Sequence, residues 1–384
     1  MEVPPLSLYV HLPWCVRKCP YCDFNSHTAG NAAPRARYIA ALLADLDRAA
    51  AVAGERPLVS VFLGGGTPSL FPAEEIAQLI DGVHQRFTLE EDVEITMEAN
   101  PGTVECGDPA GYRQAGVNRL SIGAQSFDPD ALQELGRIHS VDDISRAVDE
   151  AQAAGFASIN IDIMYGLPGQ EVAAAIADLQ AASELRPAHI SWYQLTLEPN
   201  TVFHARPPAN LPDNDLAFDI QTAGQAFLRE QGFFQYETSA YATEAERRCA
   251  HNLNYWSFGD YLAVGAGAHA KLSDASGVRR YAKPANPLTY MESVERQQAA
   301  PDTPALSSAD LVFEFMLNVL RLTDGFDLEL FERRTGLAAQ SLLPRLLNCR
   351  EKGLLEEPRR GFWRATELGQ RFLNDLQAEF LPPA

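Results

Sequence analysis

Cys15, Cys19 and Cys22 fall within eight residues, while Cys106, Cys249 and Cys349 are scattered along the chain. Three thiolates this close on one loop can surround a metal centre. A structural zinc takes four protein ligands, and His11 or His27 stands near enough in sequence to be the fourth. An iron–sulfur cluster is normally held by four cysteines. Three leave one iron open, as catalytic metals keep a free coordination position. The residue types admit both centres, and the spacing favours the cluster. Further on, Gly64-Gly65-Gly66-Thr67 lets backbone approach a ligand closely, but no Gly-Lys-Ser/Thr follows to make it a P-loop. Glu98, Gln125 and Asp162 are polar residues at or near the ends of apolar runs.

Those runs alternate with helical patterns. Strand-like segments are expected at Leu6–Val10, Leu58–Leu63, Val93–Met97, Arg119–Ile122, Ser158–Ile163 and His189–Thr196. Between them, Arg37–Ala53, Pro72–Phe87, Ala110–Gln114, Val141–Ala154 and Glu171–Leu185 read as helices. Such alternation means βαβ units and a parallel sheet, each strand near-continuously apolar and buried on both faces. Periodicity alone admits a doubly wound sheet or an open barrel. The polar residues cluster just after the strands, the edge from which β/α barrels assemble their sites. The expected fold is therefore α/β, an open parallel (β/α)6 partial TIM barrel. After residue 200 the rhythm changes. Residues 1–240 are expected as the barrel core and 241–305 as a connecting segment. Residues 306–384 are expected as a mainly helical, winged-helix-like C-terminal domain, with helices at Asp310–Leu322, Asp327–Arg334, Ala338–Lys352 and Thr366–Phe380 around a small hairpin.

The 384 residues suit two to three domains. Lys+Arg number 31 against 51 Asp+Glu, a net charge of −20, which argues against a nucleic-acid or anionic-lipid surface. One anionic ligand in a locally basic pocket is still compatible with it. No uncharged apolar run reaches 18 residues, so no spanning helix is expected. The start lacks a basic, then apolar, leader. The expectation is a reduced, cytoplasmic protein.

The stretch Tyr9-Val10-His11-Leu12-Pro13-Trp14-Cys15, continued by Cys19-Pro20-Tyr21-Cys22, resembles the signature of the radical S-adenosylmethionine (SAM) superfamily. Nearly the whole chain resembles the oxygen-independent coproporphyrinogen III oxidase family, its haem chaperone branch above all. The resemblance implies a [4Fe-4S] cluster on Cys15, Cys19 and Cys22, with SAM on the open iron. It implies that Gly65, Gly66 and Thr67 receive the methionyl amino group and that Glu98 and Gln125 contact SAM. Arg137, in Leu135-Gly136-Arg137-Ile138-His139, would pair with the SAM carboxylate, a bidentate role suited to Arg. Asp162 would accept from the ribose, and Tyr9 and Tyr21 would touch SAM through backbone or stacking.

Two departures separate the chain from the oxidases. Those carry a further cysteine two residues after the triad, where Phe24 stands here, and an extension before the signature that is not seen ahead of Cys15. A second branch marker is His251-Asn252-Leu253-Asn254-Tyr255-Trp256, which resembles an HNxxYW motif linked in that branch to haem. Imidazole is a usual haem ligand; on chemistry alone, His251 reads as a hydrogen-bonded loop histidine beside core aromatics. His269 competes as a ligand, and Arg279, Arg280 and Lys283 form a basic island that could meet propionates but reads first as a solvated turn. The resulting expectation is a haem chaperone that delivers haem, as cargo, to acceptor proteins. The alternative is an oxidase that decarboxylates coproporphyrinogen. A zinc or nucleic-acid module is a third reading, weakened by the acidic balance despite Arg359, Arg360 and Arg364. No catalytic residue is assigned. Transient contact with a membrane protein and a homodimer are both compatible with the chain.

Overall fold

The computed structural model describes residues 2–30, 33–102, 107–298 and 303–382; Cys106 lies outside them. Six strands, β1 (Leu6–Leu12), β2 (Leu58–Gly65), β3 (Leu89–Ala99), β4 (Arg119–Gln125), β5 (Ser158–Tyr165) and β6 (His189–Gln194), lie side by side in chain order. All five neighbouring pairs are parallel. Helices such as Arg35–Ala53, Ala73–Arg86, Val141–Ala153 and Val172–Glu184 supply the crossovers that parallel pairing needs.

The strands are less uniformly apolar than expected. One parity, including Leu8, Val10, Val61, Leu63, Ile95, Met97, Ile122 and Ile161, joins the large core under the helices. The other parity faces inward and is polar: Ser7 and His11, Ser60, Thr96, Arg119 and Ser121, Asn160, His189. These groups are buried, and Ser7 with Ser60, Ser121 with Asn160 and Asn160 with His189 hydrogen-bond one another across the interior, while among the described residues Thr96 Oγ1 and Arg119 Nε find no hydrogen-bond partner. Such pairing is what makes a buried polar layer tolerable.

The segment 241–305, expected as a connection, also contributes strands to the sheet. Asp260–Val264 pairs parallel with β1, in the register Leu6↔Asp260 to Val10↔Val264. His269–Asp274 and Gly277–Ala282 continue that edge antiparallel. At the other edge, Ala240–Ala242 and Phe234–Glu237 add antiparallel strands beyond β6. Among the described residues the sheet thus has eleven strands. The helix Pro287–Glu295 seats on Arg35–Ala53, where Arg37 pairs with Glu295 at 2.7 Å.

The C-terminal part has its own core around Phe315, Phe331, Leu346, Trp363 and Phe380. Its helices Ser308–Val319, Leu328–Thr335 and Leu343–Glu351 stand beside a three-stranded sheet of Phe326–Asp327, Leu355–Arg359 and Phe362–Ala365. The expected last helix is broken into Glu367–Arg371 and Leu373–Ala378, because Phe372 leaves helical geometry at φ −109°, ψ 46°. Phe258 inserts from the barrel side against Phe315, ring centroids 5.7 Å apart, and joins the two parts.

Candidate cofactor site at the barrel mouth

The loop after β1 carries all three cysteines, each half-buried. It is pinned from several sides. Lys18 Nζ donates to the carbonyls of Phe24 (3.1 Å) and Ser26 (3.4 Å). Asn25 Nδ2 donates to Ala266 O and Ala285 O, while the Asn25 carbonyl is bonded to His11 Nε2 at 2.9 Å. His27 N donates to Pro13 O, and its ring meets Asn25 Oδ1. His11 is thus engaged on both ring nitrogens, the second by the Tyr9 hydroxyl at 3.0 Å. Neither His11 nor His27 completes a zinc set with the cysteines. Among the described residues no three His, Cys, Asp or Glu side chains converge as one metal ion requires. Thiolates bound to separate irons of a cluster need no such common point. Burial raises the Cys22 thiol pKa, with its backbone and Ser26 bonds acting the other way. A neighbouring cationic cluster would oppose that rise.

The glycine loop is stitched to the cysteine loop. Gly66 N donates to Leu12 O and Thr67 N to Trp14 O, both at 2.8 Å. Gly65 N donates to Glu98 Oε2 at 2.9 Å. With these three N–H groups bonded, the loop is not a cradle of donors. That suits an ammonium group, whereas a phosphate needs donors. Side chains cannot replace the glycines: a Cβ on Gly65 would meet the His11 ring at 2.3 Å, and one on Gly66 the Pro13–Trp14 backbone at 2.7 Å. Glu98 is enclosed, and burial pushes its carboxyl pKa up to about 7, with Asp162 adding to the rise and the Gly65 N–H opposing it.

Arg137 reaches across the mouth. Its Nη2 donates to Asn100 Oδ1 (2.8 Å) and Gly123 O (2.9 Å), and Nη1 stands 3.7 Å from Cys19 Sγ. Asn100 in turn donates to Thr67 Oγ1 at 3.1 Å. Gln125 ends β4 with a left-handed φ of 71°, which turns its side chain so that Oε1 accepts from Tyr193 at 2.6 Å. Tyr21 stands beside Cys19 and Phe203. Tyr9 sits one layer lower, its ring against Phe62 and His251. Asp162 accepts from Ser121 and Asn160, and burial raises its pKa.

The structure therefore gathers Cys15, Cys19, Cys22, Tyr21, Gly65, Gly66, Thr67, Glu98, Gln125, Arg137 and Asp162 at one end of the barrel, with Tyr9 below them. His251 is not among them. It lies in the helix Ala250–Trp256, which plugs the opposite end, and it is only 4% exposed. Its Nδ1 is bonded to Ser60 Oγ at 3.0 Å, and its ring is walled by Phe62, Tyr255 and Tyr9. Burial lowers its pKa to about 3, with Arg119 adding to the drop. Ser60 Oγ gives its proton to Ser7, so His251 Nδ1 donates to Ser60; in this placement the ring does not face the mouth, and its haem contact rests on the resemblance alone. The three basic residues of the island are ion-paired: Arg279 with Asp274, Arg280 with Glu314 and Lys283 with Asp45.

A model of the Radical SAM superfamily matches residues 9–179, and one of the HemN C-terminal domain matches 306–372. The protein named heme chaperone HemW of Escherichia coli is 46% identical to this chain over 386 residues, covering 99% of each. The chain belongs to the HemW family. The protein of that name from Haemophilus influenzae is likewise 46% identical, over 99% of both chains. The mitochondrial radical S-adenosyl methionine domain-containing protein 1 of Bos taurus is 39% identical over 69% of this chain and 60% of its own. Among solved structures, coproporphyrinogen III oxidase (HemN) of E. coli superposes with a TM-score of 0.82 at 24% identity, over 98% of this chain and 90% of that one, a likeness of fold. Membership in this radical SAM family implies SAM and a [4Fe-4S] cluster. The mouth of this HemW-family barrel also contains residues that sequence reasoning missed. Asn100 follows Glu98 by two, on the same inward parity, and Tyr193 stands two places after Ser191 on β6. Counting by twos from Glu98 would have found Asn100; the strand of Tyr193 carries no recognised residue to count from.

Proposed function

We propose that this chain is a haem carrier that holds a SAM-coordinated [4Fe-4S] cluster at its barrel mouth and passes haem to acceptor proteins in the cytoplasm. The observation that carries this reading is the full-length likeness to proteins named heme chaperone, at 46% identity over 99% of both chains. It is supported by Phe24, which stands 58% exposed where the oxidases carry a further cysteine. Cys15, Cys19 and Cys22 would hold the cluster. When bound, the cluster supplies electron transfer and an open iron for SAM.

The chain's own residues do the positioning. Gly65 and Gly66 carbonyls, with ionised Glu98, would accept from the methionyl amino group. Arg137, already oriented by Asn100 and Gly123, turns its guanidinium to a carboxylate. Asp162 accepts from ribose hydroxyls with the lone pairs that Ser121 and Asn160 leave open. Gln125 and Tyr193 close the side of the mouth. Of the two histidines considered for haem, His269 is the exposed one. It starts a strand three residues after Ala266, whose carbonyl holds Asn25 of the cysteine loop. We assign the haem contact to that face.

The test is titration of anaerobically reconstituted protein with haem, with and without SAM, followed by mixing with an apo-haemoprotein. Saturable binding and transfer are expected. Protoporphyrinogen formed from coproporphyrinogen III, SAM and a reductant would favour the oxidase reading instead.

A further inference from the structure

The HNxxYW helix and the SAM ribose residue stand at opposite ends of the barrel interior, yet one line of hydrogen bonds joins them. Cys249 N, at the N-cap of the helix Ala250–Trp256, donates to the Tyr236 hydroxyl at 3.1 Å. That hydroxyl is 2.8 Å from His189 Nε2. His189 Nδ1 is 2.6 Å from Asn160 Oδ1. Asn160 Nδ2 donates to Asp162 Oδ1 at 2.8 Å and to Ser121 Oγ at 2.7 Å. Ser121 closes the fork by donating to Asp162 Oδ2 at 2.9 Å.

The direction of every proton follows from chemistry. An ionised carboxylate only accepts, so the Asn160 amide must turn its NH2 to Asp162 and its oxygen to His189. His189 must then donate from Nδ1. Burial first, and Arg119 second, hold this imidazole well below its usual pKa, so it is neutral. A neutral imidazole with a proton on Nδ1 must accept at Nε2, so the Tyr236 hydroxyl donates there and accepts from Cys249 N. The line is thus a one-way file of donors ending on Asp162, and bonds in such a file polarise one another. The same helix carries a second tie to this floor. Ala250 N and His251 N donate to Glu94, whose carboxylate lies 3.9 Å from buried Arg119.

We propose that Tyr236 and His189 are positioning residues of the SAM site: through Asn160 they hold the Asp162 carboxylate ionised and aimed at the ribose, and the HNxxYW helix anchors the far end of the line. The inference rests on Asp162 receiving the SAM ribose. His189 needs no contact with SAM to act. Ser191 Oγ also donates to Asn160 Oδ1, at 3.1 Å against 2.6 Å for His189, so without the Nδ1 proton the amide keeps only the longer of its two orienting bonds and its oxygen is freer to turn toward Asp162.

The experiment compares SAM with its 2′,3′-dideoxyribose analogue on the reconstituted holoprotein by calorimetry, in wild type, Tyr236→Phe, His189→Leu and His189→Gln. Thermal unfolding is followed in parallel, with Tyr241→Phe as a buried-tyrosine control. In wild type and Tyr241→Phe the analogue is expected to bind about tenfold more weakly, the worth of hydrogen bonds to a charged group. In His189→Leu that ratio is expected to collapse toward unity, and in Tyr236→Phe to fall partway. His189→Gln, which restores a donor to Asn160, is expected to recover part of it. A ratio unchanged from wild type in folded His189→Leu and Tyr236→Phe overturns the inference. Wild type that binds no SAM, or does not distinguish the two ligands, overturns the SAM reading of Asp162 instead. If His189→Leu fails to fold, Tyr236→Phe, which removes one oxygen, decides alone.

Discussion

The two ends of the barrel are built from the same strands and equally rich in polar side chains, but they are finished differently. At the mouth, Cys15, Cys19 and Cys22 are half-exposed on a loop, and Arg137 spans the opening to Asn100. At the floor, His251, Asn254, Ser7 and Ser60 bond one another out of water. The file of bonds from Cys249 through Tyr236 and His189 leads away from this floor toward Asp162. In sequence, the cysteine motif and the HNxxYW motif both hold residue types that can ligate a metal. In the fold, one leaves its side chains half-exposed and the other turns them to the protein. A histidine's exposure and partners decide its role, and neither can be read from its neighbours in the chain.

Variants at the two ends should therefore fail in different ways. The largest effect is expected for Cys19→Ser, which should drop bound iron and sulfide to about a tenth of wild type or less, since the cluster would lose one of only three protein ligands. Metal analysis checks this, and unfolding should shift little because the loop is half-exposed. Arg137→Ala comes next. SAM affinity is expected to fall about 10- to 100-fold, the range for hydrogen bonds to charged groups, with cluster content unchanged by the same metal analysis. At the floor, His251→Ala should instead cost about 1–3 kcal/mol of stability and leave haem titration unaltered, whereas His269→Ala should weaken haem. Normal stability with lost haem binding in His251→Ala would break the comparison.

Two pH effects sharpen it. Burial pushes the Glu98 pKa up to about 7, so the charge with which it would accept from the methionyl amino group fades below neutrality. SAM affinity measured by calorimetry should tighten as the pH rises from 6 to 8, and Glu98→Gln should flatten that slope. His251 has its pKa lowered from 6.5 to about 3. Its contribution to stability is complete above the unfolded value and is lost as the pH falls toward 3. Denaturant unfolding at pH 7 and pH 5 should show that loss in wild type and less of it in His251→Ala. This is the smallest effect, because His139 and His189 are also held below their usual pKa and share the acid response.

The barrel was legible because β1 to β6 and their crossover helices alternate locally, so short-range pattern is enough. The sheet's extension was not. Asp260–Val264 pairs with Leu6–Val10 from some 250 residues away, and a five-residue run between glycines gives no local sign of its partner. The mouth residues were legible through motifs at strand ends. The inward polar parity was not, since Ser60, Glu94, Arg119 and Asn160 look like interruptions of apolar strands until the sheet curves and they meet. The broken C-terminal helix turns on one backbone angle pair at Phe372, which no periodicity encodes.

The central claim is that the mouth brings SAM to a cluster held by three cysteines. Electron paramagnetic resonance of the anaerobically reconstituted, reduced protein, recorded during a SAM titration, tests it most directly. A [4Fe-4S] signal that shifts saturably with SAM in wild type, and is absent in Cys19→Ser, is the predicted result. A signal that saturating SAM leaves unchanged, or one that persists in Cys19→Ser, would contradict it.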